Sequence, residues 1–121
     1  MIDLDGFKKI NDIYGHDSGD LLLREIADRM RDVVPPSSVI ARLGGDEFVV
    51  LLSSLAQETD AEEVAERIID KVRQPFVLQG QQVFSGASIG IAHYQSDHTK
   101  AEVLLRDADA AMYQAKSMGR N

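Results

Sequence analysis

The run Arg42-Leu43-Gly44-Gly45-Asp46-Glu47-Phe48-Val49-Val50-Leu51-Leu52 constrains the fold more than any other stretch of this chain. Val39-Ile40-Ala41 lead into it, so two strand-like segments flank a Gly-Gly pair, a two-residue β-hairpin signal. Such a turn needs positive φ at both central positions, which glycine adopts without steric cost. With the turn at Gly44-Gly45, Leu43 is expected to pair with Asp46, and Arg42 to stand opposite Glu47. Past the acids the second strand is apolar on both faces, so a central strand with a polar tip is expected. Two carboxylates where a buried strand meets a tight turn are poor for packing and well placed to hold a cation.

The flanking sequence supplies the hairpin's neighbours. Met1-Ile2-Asp3-Leu4 alternates apolar and polar, breaks at Asp5-Gly6, and reads as the end of a strand whose beginning is missing. An N-terminally shortened domain is therefore expected. Phe7 to Tyr14 is a short helical piece, and Gly15-His16-Asp17-Ser18-Gly19 a loop with Asp17 or Ser18 as N-cap. From Asp20 on, Leu22, Leu23, Ile26, Ala27, Met30, Val33 and Val34 keep helical spacing until Pro35-Pro36 stops the helix. Thr59-Asp60-Ala61-Glu62 is a capping box, followed by the stripe Ala61, Val64, Ala65, Ile68 and Val72. Phe76 to Leu78 is a short strand turning at Gln79-Gly80, and Val83 to Tyr94 a long one. A second capping box, Thr99-Lys100-Ala101-Glu102, opens a last helix that ends near Gly119. Its expected buried positions are Ala101, Leu104, Leu105, Ala108, Ala111, Met112 and Ala115.

The order strand, helix, strand, strand, helix, strand, plus a terminal helix, is that of an α+β, ferredoxin-like βαββαβ core with an added C-terminal helix. At 121 residues the chain is one domain. In this topology the first strand lies antiparallel to the third. Asp3 then comes beside Asp46 and Glu47, gathering three carboxylates at one sheet edge. Clustered carboxylates without a cation raise one another's pKa and cost stability, so a divalent metal is the better reading of the cluster.

Composition removes several alternatives. A net charge of −7 argues against a nucleic-acid surface. Nucleotides remain open, because metal ions can neutralise their phosphates. With no cysteine there are neither disulfides nor thiolate metal sites. His16, His93 and His98 show no metal-ligand spacing, and no run is long enough to span a bilayer.

Gly44-Gly45-Asp46-Glu47-Phe48 also spells GGDEF, and the chain resembles the GGDEF family of diguanylate cyclases, which make cyclic di-GMP from two GTP molecules. A chance match of five residues is expected on the order of once in ten thousand chains of this size. Three further segments agree in order. Asp3-Leu4-Asp5-Gly6-Phe7-Lys8-Lys9-Ile10-Asn11-Asp12, with Gly15-His16-Asp17-Ser18-Gly19-Asp20, is similar to the family's first diagnostic segment. Ser88-Ile89-Gly90-Ile91-Ala92 resembles its last core strand, and Asp107 to Lys116 with Gly119-Arg120-Asn121 its terminal helix.

The resemblance implies a site. Asp3, the Leu4 carbonyl and Asp46 would coordinate Mg2+ (or Mn2+), two ions per active site, with Glu47 assisting a metal or its water. It implies that one ion lowers the pKa of a ribose 3′-hydroxyl and that both stabilise in-line displacement of pyrophosphate. Asn11 and Asp20 would read guanine; outside the family they are a loop cap and a first-turn acid. Phe7 and Lys8 lie in the turn whose amides would face phosphates. Lys116 and Arg120 would bind the triphosphate, whereas alone they read as cations complementing a helix C-terminus. Arg42 is open between a cross-strand partner for Glu47 and a group stabilising charge on the transferring phosphate. Asp5, Asp12 and Asp17 read as turn and capping residues. The resemblance further implies GTP as substrate, a homodimer, a cytoplasmic location without membrane contact by this domain, and a covalently linked sensor or EAL domain. One departure stands out. Where many members carry an Arg-x-x-Asp product-binding site ahead of the hairpin, this chain has Pro35 and Ser38. Arg29 and Asp32 have the right internal spacing but lie six residues too early, within a helix.

Overall fold

A computed structural model describes residues 1–52, 59–93 and 101–118, the side chain of Thr59 excepted. Its elements are β1 (Ile2–Asp5), α1 (Phe7–Tyr14), α2 (His16–Val33), β2 (Val39–Gly44), β3 (Glu47–Leu51), α3 (Thr59–Arg73), β4 (Phe76–Leu78), β5 (Gln81–Val83), β6 (Gly86–Ile89) and α4 (Ala101–Ser117). The main sheet runs β2-β3-β1-β6, every neighbouring pair antiparallel, which is the expected core order. β1 sits inside it because Ile2 and Leu4, 2% and 1% exposed, alternate with Asp3 and Asp5. The apolar face meets Phe7 and Ile10 of α1, Leu22, Ile26 and Met30 of α2, and Val64, Ile68 and Val72 of α3 in one core. The opposite face carries Asp3 and receives α4, whose Lys116 reaches that acid.

Arg29 fastens this core at the far end of α3. Its guanidinium donates to the carbonyls of Lys71 (2.9 Å), Gln74 (2.7 Å) and Pro75 (2.8 Å) and lies 3.6 Å above the Phe76 ring. One planar fork thus ties a carbonyl of the last turn of α3 to two carbonyls of the segment that leaves it. Its donors are thereby committed to structure.

Four expectations are corrected. The segment 15–19 is not a loop: α2 begins at His16, after Gly15 at φ 91°, and no side chain caps it. A left-handed glycine breaks α1 from α2 in a single residue, so neither Asp17 nor Ser18 is needed as a cap. In the hairpin, Gly44 rather than Arg42 pairs with Glu47, and Arg42 lies opposite Phe48. Leu43 is the extra residue of a bulge there, and Gly45-Asp46 forms the turn. The long strand expected over 83–94 is divided. Gln79 and Gly80, both at positive φ, fold β4 onto β5 as a separate two-stranded sheet, and the chain then crosses over to pair β6 with β1. Tyr94 lies outside the described residues. On α4, Ala108 and Met112 are buried while Ala101 and Leu105 are exposed. α4 meets the sheet chiefly at its β6 edge, so a narrow stripe suffices. The Thr99 cap, Gly119 and Arg120 fall outside the described residues.

Candidate functional site

β1 and β3 create the acidic end of the site. Asp3 pairs with Glu47 across the strands, and the Leu4 amide donates to the Asp46 carbonyl at 3.1 Å. Residues far apart in sequence thus meet where β3 leaves its turn. Burial raises the Asp46 carboxyl above its ordinary pKa, the Asp3 carboxylate raises it further, and the Lys116 ammonium opposes both. Asp3 lies under α4, where Lys116 Nζ reaches its Oδ2 at 2.9 Å, with side-chain exposures of 22% for the lysine and 14% for the acid. Its other oxygen, Oδ1, is buried without a hydrogen-bond partner.

A cation fits that arrangement. The orphaned oxygen and the unfavourable Asp3–Asp46 proximity would both be relieved by a divalent ion. Among the described residues no three His, Asp or Glu side chains gather closely enough to hold a metal ion, so the expected trio of Asp3, Asp46 and Glu47 is not assembled and only Asp3 and Asp46 approach each other. An open half-site of one or two carboxylates suits magnesium, which keeps several waters and takes phosphate oxygens from a substrate. Next to this pair, Asp5 Oδ1 accepts from the fully buried Ser88 hydroxyl at 2.9 Å, in keeping with a structural role.

The second part of the site is the corner between α1 and α2. Asn11 Nδ2 lies 3.1 Å from His16 Nδ1, while its Oδ1 is buried and unpartnered. Gly19 makes room for that amide: a β-carbon there would stand 2.0 Å from Asn11 Oδ1 and 3.3 Å from Phe7 Cζ. Asp20 follows on the exposed side of α2 and lines an open cleft of about 370 Å³ with Arg24, Arg31, Ile40, Arg42 and Phe48. Phe7 is buried at 8% exposure, so what it offers a ligand is its backbone. No side chain caps α1, and the first-turn amides at Phe7 and Lys8 sit at a helix end that favours anions.

Of the remaining candidates, Arg42 turns back on its own hairpin, Nε donating to the Gly45 carbonyl at 3.0 Å. Lys116 lies against Asp3, and Arg120 is outside the described residues. Sequence reasoning attached no role to Gly19 beyond a motif position. Its place one residue before Asp20, a helical neighbour of the Asn11 segment, was the available signal.

A four-stranded antiparallel sheet with paired acids at the tip of its central strands, covered by helices, defines an α+β domain of the ferredoxin-like class. The family model for the GGDEF domain of diguanylate cyclases matches residues 1–121, and the chain belongs to that family. The bifunctional diguanylate cyclase/cyclic di-GMP phosphodiesterase MucR of Pseudomonas aeruginosa is 49% identical over 121 residues, covering all of this chain and 18% of MucR. The cyclic di-GMP phosphodiesterase NbdA of the same organism is 43% identical over all of this chain and 15% of its own length. The crystal structure of the GGDEF domain of TpbB, also from P. aeruginosa, superposes with a TM-score of 0.93 at 47% identity, covering 98% of this chain and 74% of that one. The chain thus spans less than a third of the curated relatives it matches, TpbB included at 28%. No described helix is long and apolar enough to cross a membrane.

Proposed function

We propose that this chain is a diguanylate cyclase catalytic domain that condenses two GTP molecules into cyclic di-GMP and two pyrophosphates. The observation that carries this reading is the Asp3–Asp46 pair, drawn together by the β1–β3 register, with one buried oxygen unsatisfied. Asp3, the Leu4 carbonyl and Asp46 would hold magnesium (or manganese), with Glu47 beside them. When bound, the ions supply acidification of the ribose 3′-hydroxyl and neutralisation of phosphate charge.

The protein's own groups do the rest. Asn11 and Asp20 present an amide and a carboxylate that complement guanine's carbonyl and N–H donors. The amides at Phe7 and Lys8 receive the phosphates, with Lys116 and, by the family pattern, Arg120 completing their charge balance. Arg42 holds the turn that carries Asp46 and so acts on the acid's position. In each half-reaction a 3′-oxygen attacks an α-phosphorus, the α–β bridge breaks, pyrophosphate departs and the hydroxyl proton passes to solvent. One cleft per chain holds one GTP, so two chains meet face to face, each nucleotide attacking the other.

Purified protein given Mg-GTP should release cyclic di-GMP, and Asp46→Ala should not. Equal output from both, or none from either, would overturn the reading. A second reading is favoured by the 43% identity to a protein named as a phosphodiesterase: a GTP-binding module that regulates an attached phosphodiesterase domain. Retention of Asp3, Asp46 and Glu47 favours catalysis, since a binder has no need of all three. Tight GTP binding over ATP without turnover would favour regulation instead.

A further inference from the structure

Gln79, at φ 51°, is the one non-glycine among the described residues with positive φ. It occupies the β4–β5 turn just before Gly80, a position that asparagine or glycine fills with less strain. A strained backbone held in place calls for a compensating role. The side chain has one: Nε2 donates to the Tyr14 carbonyl at 2.8 Å and to Ser18 Oγ at 3.0 Å. A carbonyl only accepts, so it is the amide nitrogen that faces Tyr14. The Tyr14 hydroxyl returns the contact, donating to Gln81 Oε1 of the same hairpin at 3.3 Å.

These bonds fall on the weakest joint of the site. Tyr14 ends α1, Ser18 lies in the first turn of α2, and only Gly15 intervenes, at φ 91° and ψ 166°. The covalent link between the helix bearing Asn11 and the helix bearing Gly19 and Asp20 is therefore one glycine, beside the core that the two helices share. Glycine resists rotation least of all residues. Gln79 adds to that joint a polar tie from outside both helices.

We propose that Gln79 is a positioning residue, bolting α1 to α2 so that Asn11 and Asp20 face one guanine base together. This rests on the reading of those two residues given above. Gln79 itself touches neither the base nor the phosphates. Its removal should blur base selection rather than stop phosphate binding.

The test is calorimetric titration of purified protein with 3′-deoxy-GTP and 3′-deoxy-ATP in magnesium, neither of which can form the phosphodiester. Gln79→Gly removes the amide while relieving the backbone, and Gln79→Glu keeps the shape but replaces the donor with an acceptor. Both should weaken 3′-deoxy-GTP about fivefold and lower the preference over 3′-deoxy-ATP by a similar factor. Gln79→Gly should melt within about 3 °C of the parent. A purely structural role would move melting and leave the guanine preference intact, which would overturn the proposal. Asp20→Asn separates the two layers. If it loses the guanine preference while both Gln79 variants keep it, the positioning role fails and base recognition stands. If Asp20→Asn and Asn11→Ala both bind like the parent, base recognition fails and the role of Gln79 with it.

Discussion

Replacing Gly90 by alanine isolates the packing of α4 on the sheet. A β-carbon at this position would stand 2.1 Å from the Ala108 carbonyl oxygen, 2.1 Å from the Met112 amide nitrogen and 2.7 Å from Met112 Cα. Gly90 is not among the positive-φ residues, so the backbone accepts alanine and the cost is contact alone. The opposing atoms belong to a helix backbone and cannot swing aside as a side-chain tip would. Ordinary contact returns only when α4 retreats by more than about 1 Å, and overpacking of this kind costs about 1–3 kcal/mol. At about 4 °C per kcal/mol for a domain of this size, melting should fall by about 4–12 °C. The same helix carries Lys116, whose ammonium sits 2.9 Å from Asp3 at the acidic end of the site. Misplacement of about 1 Å at reacting groups can cost on the order of a hundredfold in rate. Gly90→Ala should therefore lose more than about tenfold of pyrophosphate release from Mg-GTP, measured well below its new melting point. A variant that melts within about 2 °C of the parent and turns over normally would show that α4 does not depend on this close approach.

Asp46 gives a pH prediction. Its carboxyl is raised above 3.8 in the folded protein, so folding favours its protonated form. In the metal-free protein the group therefore detracts from stability above its folded pKa, and the deficit fades as pH falls towards 3.8. Asp46→Asn should melt above the parent at pH 7 without metal, by a margin that narrows on acidification, and should lose most of the stabilisation that added Mg2+ gives the parent. Arg29→Ala removes three carbonyl contacts and the Phe76 stack, and should cost about 2–4 kcal/mol; Arg29→Lys should recover little, since a single ammonium nitrogen has neither the span of the two guanidinium nitrogens nor a planar face to lay on Phe76. With Pro35 and Ser38 ahead of the hairpin and Arg29 committed to α3, cyclic di-GMP should inhibit only by competing at the active site. Submicromolar inhibition of the parent protein that rising GTP concentration does not relieve would contradict this.

The sheet order and the meeting of Asp3 with Asp46 were legible because they follow from element order and a polar strand tip, which a string of residues records directly. The register of the hairpin was not. Gly44-Gly45 and Gly45-Asp46 are both acceptable turns, and the choice depends on whether Leu43 bulges, which puts Phe48 rather than Glu47 opposite Arg42. The division of the expected long strand depends on long-range competition: Val83 pairs with Phe76 while Ala87 and Ile89 pair with β1. Each segment alone is simply extended and apolar. At the site, chemistry was readable by residue type, but partners were not. The motif implies phosphates for Lys116, and nothing in its residue type announces the contact it makes with Asp3. The helix start at His16 was hidden by Asp17 and Ser18, ordinary capping residues made redundant by the conformation of Gly15.

The central place of β1 has a consequence for how the molecule is made. Ile2 pairs on one side with Phe48 and on the other with Ile89, and Leu4 with Ala87. Contacts so distant in sequence close late and slowly, because the intervening chain must first give up its freedom. During synthesis the strand must wait, unpaired on its second edge, until β6 has emerged. The carboxylates meet once the β1–β3 pair forms, but α4, which supplies Lys116, arrives later still. Mg2+ binding during refolding should therefore follow the β1–β3 pairing that brings Asp3 to Asp46, and should precede the docking of α4.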